Sequence, residues 1–145
     1  EALRLPVLLS ASAQPQADGS NIITVKAGTS GITATLGEYG MTIGGNGNYI
    51  AIDFVCSGST LEEGSYTPAA NGEAKAGNYV KGYDTEMWGM QFYNWGTCWF
   101  TVASDVASGI HIESGDITVS KKGTTYTITV KNDDLFVEYV GELSL

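Results

Sequence analysis

The chain is short of cations and of the residues that most often do chemistry. Its 145 residues include 7 Lys and Arg against 16 Asp and Glu, a net charge of −9. Arg4 is the only arginine and His111 the only histidine. A surface this acidic repels phosphate backbones, so nucleic acid is not an expected partner. A serine or cysteine nucleophile commonly relies on a histidine base, of which the chain has one, and no Gly-x-Ser-x-Gly elbow is there to present a serine. His111 stands between Ile110 and Ile112, with Glu113 on its own face, and reads as a surface or rim residue. Cys56, Cys98 and that one histidine do not have the spacing of a zinc site. Asn132-Asp133-Asp134, and Asp84 with Glu86, lack the spacing of a calcium loop, so no metal is expected. Gly44-Gly45-Asn46-Gly47-Asn48 is followed by a strand pattern rather than a helix, which makes it a turn and not a phosphate cradle. No cofactor is expected. No run approaches the roughly 18 apolar residues of a membrane-spanning helix.

What is present is β grammar. Hydrophobic residues make up 43% and charged residues 16%, enough to form a core and too little charge for a disordered chain. The length fits one domain, residues 1–145. Helical periodicity is absent, and 19 glycines punctuate short alternating runs rich in Thr, Val, Ile and Tyr. Leu5 to Ala13 superficially resembles the tail of a signal peptide. The alternation of Leu3, Leu5, Val7 and Leu9 instead predicts a first strand, with Pro6 at an edge or a bulge. Further strands are expected at Asn21–Ala27, Gly31–Leu36, Tyr39–Ile43, Tyr49–Cys56, Glu86–Asn94, Thr97–Ala103 and Ile110–Glu113. Asp116–Ser120, Thr124–Lys131 and Leu135–Leu143 follow as a three-stranded meander with one wet face. Ser57–Thr85 lacks periodicity and reads as a long Gly-rich connection. The expected fold is an antiparallel all-β two-sheet sandwich with jelly-roll-like or meander connections. A closed calycin-like barrel is the alternative.

Three stretches carry a resemblance. They are Leu61 to Pro68 (LEEGSYTP), Ser114 to Ser120 (SGDITVS) with the following Tyr126-Thr127-Ile128-Thr129, and the closing Tyr139-Val140-Gly141-Glu142-Leu143. In this order they resemble the small, uncharacterised all-β domains of surface lipoproteins from gut Bacteroidetes. The resemblance covers roughly the second half of the chain. It implies export to the cell envelope or outer surface, with membrane contact only through a lipid anchor upstream of this sequence. It implies no activity and hands over no catalytic residues.

The aromatic residues are unevenly placed. Tyr79 to Phe100 holds all three tryptophans together with Tyr79, Tyr83, Phe92, Tyr93 and Phe100. Strict alternation puts Trp88, Met90 and Phe92 on a core face, and likewise Cys98, Phe100 and Val102. Both cysteines then face the core as buried thiols, with a single disulfide as the alternative if their strands are neighbours or face each other. Tyr93, Trp95 and Trp99, with Gln91, fall on the opposite, outward face next to the Ser57–Thr85 connection, which adds Tyr79 and Tyr83. Such rings stack on the C–H faces of sugars while amides and carboxylates take the hydroxyls. The leading expectation is therefore a non-catalytic, exported binding or adhesion module whose partner is a glycan or another surface protein. A lipocalin-like carrier of a small apolar ligand, its cavity lined by Met41, Met87 and Met90, is the second. A glycan hydrolase using Asp53 with an acidic partner such as Glu86 is the third.

Overall fold

A computed structural model describes residues 1–145. The strands are β1 (Leu3–Arg4), β2 (Val7–Pro15), β3 (Asn21–Gly28), β4 (Ile32–Gly37), β5 (Gly40–Gly45), β6 (Gly47–Cys56), β7 (Gly64–Ala69) and β8 (Asn78–Val80). They continue with β9 (Tyr83–Met87), β10 (Met90–Trp95), β11 (Cys98–Ala103), β12 (Val106–His111), β13 (Ile117–Lys122), β14 (Thr125–Lys131) and β15 (Phe136–Gly141). The all-β class is as expected, and β13, β14 and β15 form the expected antiparallel meander.

Eleven strands belong to one sheet, in the order β1-β15-β14-β13-β7-β8-β6-β11-β12, with β3 on the other edge of β6 and β2 beyond it. Apolar alternation explains its shape. Ile23, Val25 and Ala27 on β3 and Ile50, Ile52, Phe54 and Cys56 on β6 share one cluster of 19 buried residues with Ile117, Ile128, Val130, Val137 and Tyr139. Residues from the two ends of the sheet can meet only if the sheet curls until its halves face each other. The result is a curled half-barrel, not the two separate sheets of the expected sandwich. The halves are fused through β7 and β8, which pair in parallel (Thr67↔Asn78, Ala69↔Val80). Both lie inside Ser57–Thr85, where three- to six-residue strands carrying Pro68 and no clear alternation leave little periodic signal.

The N-terminal segment ties the two ends of the curl together. Leu3 and Arg4 pair in parallel with Val137 and Glu138 on β15, and the Leu5 amide donates to the Glu138 carbonyl at 2.9 Å. Pro6 breaks the ladder there, since it has no N–H to donate. From Val7 the same segment pairs antiparallel with β3. Leu5, at the switch, is 1% exposed.

Two hairpins, β4–β5 and β9–β10, stand apart from this sheet. The second corrects an expectation. Glu86–Asn94 is not one strand: Trp88 and Gly89, at φ 54° and 73°, form a two-residue turn. Positive φ at both central positions is the primed turn that matches strand twist, and glycine supplies one of them without strain. Trp88 is therefore 87% exposed at a hairpin tip, and Met90 is exposed beside it, rather than in the core. The apolar spacing of Trp88, Met90 and Phe92 runs straight across this turn, although Met87 pairs with Met90 and the faces change parity there, so spacing alone does not reveal the reversal.

The faces of β11 are also the reverse of expectation. Trp99 pairs with Ile50 and packs against the main core, whereas Cys98 pairs with Ala51 on the other face. Phe100 follows Cys98 outward and stacks on Tyr49, with ring centroids 4.6 Å apart and planes at 11°. Cys98 is nevertheless fully buried, its Sγ donating to the Trp95 carbonyl at 3.4 Å. Cys56 does face the core, donating to the Tyr66 hydroxyl oxygen at 3.3 Å while Tyr66 donates to the Glu62 carbonyl. Both cysteines are free thiols.

Candidate functional site: an aromatic cleft on the outer face

The side chains of β6 that point away from the core are Tyr49, Ala51, Asp53 and Val55. Register places Thr24 opposite Asp53 and Lys26 opposite Ala51 on β3. On the other edge, Tyr49 lies beside Phe100. Hairpin β9–β10 returns over this face at its base. The result is a cleft of about 510 Å3, with Thr24, Lys26, Tyr49, Ala51, Asp53 and Phe100 as its floor and Tyr83, Tyr93, Asn94, Trp95 and Gly96 as its wall. This volume lies within the range of small-molecule sites, about 300–1,000 Å3.

The wall depends on an irregularity in the hairpin. Phe92 pairs with Thr85 and Trp95 with Tyr83, so β10 spends one more residue than β9 over this interval. Such a bulge resets which way the following side chains point. Phe92 and Trp95, three apart, consequently meet edge to face with centroids 6.0 Å apart, and Tyr83 meets Trp95 at 6.4 Å. Asn94 takes φ 61° within the bulge, a left-handed conformation that asparagine tolerates better than most residues. Its amide donates to Asp84 Oδ1 at 2.9 Å.

Asp84 also anchors the hairpin to β12. His111 Nε2 lies 2.9 Å from the same Oδ1. The amide of Asn94, and then His111, hold the Asp84 carboxyl below its ordinary range. An ionised carboxylate only accepts, so Nε2 carries the proton. His111 thus serves Asp84 rather than the Glu113 expected from the sequence.

Asp53 sits in the cleft floor. Thr24 Oγ1 donates to its Oδ1 at 2.7 Å, and its own amide donates to Thr97 Oγ1 at 3.1 Å. Burial raises its pKa, against the opposing effects of the Thr24 hydroxyl and the Lys26 charge. Glu86 does not share the cleft. It pairs with Gln91 further along the hairpin, and both are exposed.

Of the residues predicted to bind ligand, Tyr83, Tyr93 and Trp95 come together in the cleft wall, with Tyr93 66% and Trp95 41% exposed. Three others do not join them. Tyr79 is fully buried, its hydroxyl donating to the Gly115 carbonyl at 2.7 Å. Trp99 faces the main core because its register partner is Ile50. Gln91 lies beyond the bulge, its amide donating to the Thr85 carbonyl. Sequence reasoning missed Thr24, Lys26, Tyr49, Asn94 and Phe100 as lining residues. Their alternation marks the outer faces of β3, β6 and β11, but only cross-strand register shows that those faces form one floor. A scan against protein-family models and searches of curated proteins and of solved structures find no match to this chain.

Proposed function

We propose that the cleft is the binding site of a non-catalytic carbohydrate-recognition or adhesion module, exported to the cell envelope or outer surface. One observation carries this reading: aromatic rings and hydrogen-bonding groups share the same small concavity. Tyr83, Tyr93 and Trp95 present ring surface beside Asp53, Lys26 and Asn94. Sugars offer both complementary surfaces, an apolar C–H face and a rim of hydroxyls. Asp53 and Lys26 supply an acceptor and a donor of opposite charge, which suits a neutral polar ligand better than an ion.

The two other readings have less support. A carrier of an apolar ligand needs interior space, and the core of the curl leaves about 10 Å3, no more than a single water requires. The methionines named for such a cavity lie on the two hairpins, with Met41 and Met90 exposed. Glycoside hydrolysis by the usual route needs two carboxyl groups about 5–10 Å apart. Asp53 is the one carboxylate among the residues lining this cleft.

The test is a glycan array probed with the purified protein, followed by titration of the best hits against Trp95→Ala and Tyr93→Ala. Both variants are expected to lose at least tenfold in affinity, about 1.4 kcal/mol. The unfolding midpoint of Tyr93→Ala should stay near that of the unsubstituted protein, because Tyr93 is 66% exposed, whereas Trp95→Ala gives up its ring contacts with Tyr83 and Phe92 and should lower it modestly without unfolding the protein. Absence of any glycan hit, or binding that both variants retain, would overturn the proposal.

A further inference from the structure

A second cleft lies on the other side of the same ridge. It encloses about 470 Å3 and is lined by Asp84, Gly109, Ile110, His111 and Glu113, together with Tyr93 and Asn94. Tyr93 and Asn94 therefore line both clefts. Register explains the arrangement. Gly109 pairs with Phe100 and His111 with Cys98, so the outer face of β12 extends the floor formed by β3, β6 and β11. The base of hairpin β9–β10 crosses this continuous floor and divides it.

The crossing point is tightly fitted. A Cβ on Gly109 would lie 2.7 Å from the Phe100 ring and 2.9 Å from Asn94 Nδ2. Asn94 therefore rests directly on β12, leaving the exposed Tyr93 ring as the crest between the two concavities. The far cleft offers polar groups beside the shared Tyr93 ring: His111, Glu113 and Asp84 line it, whereas Ile110 pairs with Trp99 and directs its side chain to the other face.

We infer that the two clefts are subsites of one groove and that its ligand is a linear oligosaccharide that straddles Tyr93 and occupies both at once. This rests on the carbohydrate reading of the near cleft and adds chain length to it. A ligand that fills only one side leaves the other hydrated. One that spans the crest gains the second set of contacts without a second loss of translational freedom, so affinity must climb with length.

The experiment is titration calorimetry with linear gluco-, xylo- and manno-oligosaccharides graded from one to six units. The comparison is between the unsubstituted protein and the variant Glu113→Ala. Glu113 is exposed and does not hold the hairpin, so the fold should persist, and a thermal melt checks this. Affinity in the recognised series is expected to rise on the order of tenfold or more between the shortest binder and the tetrasaccharide. Glu113→Ala should flatten that rise while leaving the shortest binder unchanged. Tyr93→Ala should weaken every length. Affinity that is flat with length, or a Glu113→Ala variant that weakens short and long ligands equally, would overturn the two-subsite groove while leaving the near cleft as a sugar site. Failure of every series to bind would remove the carbohydrate reading and this inference together.

Discussion

Trp88 shows how one residue can occupy a position that its chemistry does not favour. It sits at φ 54° in the turn of hairpin β9–β10 and is 87% exposed, so it gains neither backbone comfort nor burial. Asparagine followed by glycine is the preferred pair for this turn. Trp88→Asn is expected to stabilise the protein by up to about 1 kcal/mol, measured by urea unfolding. A loss of several kcal/mol would mean that the ring is packed after all. Asp53 makes the opposite case, a charge retained where burial opposes it. Its pKa is raised in the fold, chiefly by desolvation. A carboxyl with a raised folded pKa contributes stability below its unfolded value, about 3.9, and loses it as pH rises through the folded value. Asp53→Asn removes that titration while keeping an oxygen for Thr24. The variant should therefore gain stability relative to the parent as pH rises from about 3.5 to 7. A stability difference that stays constant with pH would show that Asp53 is not desolvated.

At the scale of elements, hairpin β9–β10 positions the site, and its seating on β12 is the critical contact. Gly109→Ala would place a methyl against the Phe100 ring and the Asn94 amide, at 2.7 and 2.9 Å. It should lift the hairpin base, cost about 1–3 kcal/mol as overpacking does, and open Trp95 to an added quencher. Unchanged quenching and unchanged stability would show that the hairpin is not seated there. The same hairpin marks the limit of what the sequence discloses. The strands β3, β6, β11, β13, β14 and β15 were legible because Ile, Val, Phe and Tyr alternate cleanly along them. The cluster of rings was legible because it is dense in sequence. Which way the rings point was not. The spacing of Trp88, Met90 and Phe92 hides the turn at Trp88-Gly89, which reverses the chain and shifts the face parity by one, and a single extra residue between Phe92 and Trp95 shifts the phase again. Trp99 was misplaced for a related reason. Both faces of β11 carry apolar residues, so alternation alone cannot say which face meets the main core. Asp53, weighed from the sequence as an odd charge in an apolar strand, lies in the cleft floor; its neighbours Thr24 and Lys26 come from β3 and needed register to be found.

For the whole molecule, the two thiols report on the integrity of the curl, because they sit on opposite faces of it. Cys56 is sealed inside the core, and Cys98 is sealed between β11 and the hairpin base, where burial pushes its thiol up to about 12. Both should resist alkylation in the native protein and react quickly in denaturant, and a reductant should leave the melting temperature unchanged. Fast labelling of Cys98 alone would locate the opening at the hairpin, whereas a lowered melting temperature on reduction would reveal a disulfide. The N-terminal tie has a consequence in time rather than in space. Leu3 pairs with Val137, so the contact that closes the curl joins residues near the two ends of the chain. Loop-closure entropy makes such long-range pairings late and slow, placing folding toward the millisecond-to-second range. β2, β3 and β6 can pair early, but the apolar face of β3 and β6 stays open to solvent until β14 and β15 close over it. The folding chain is therefore at its most adhesive just before that closure.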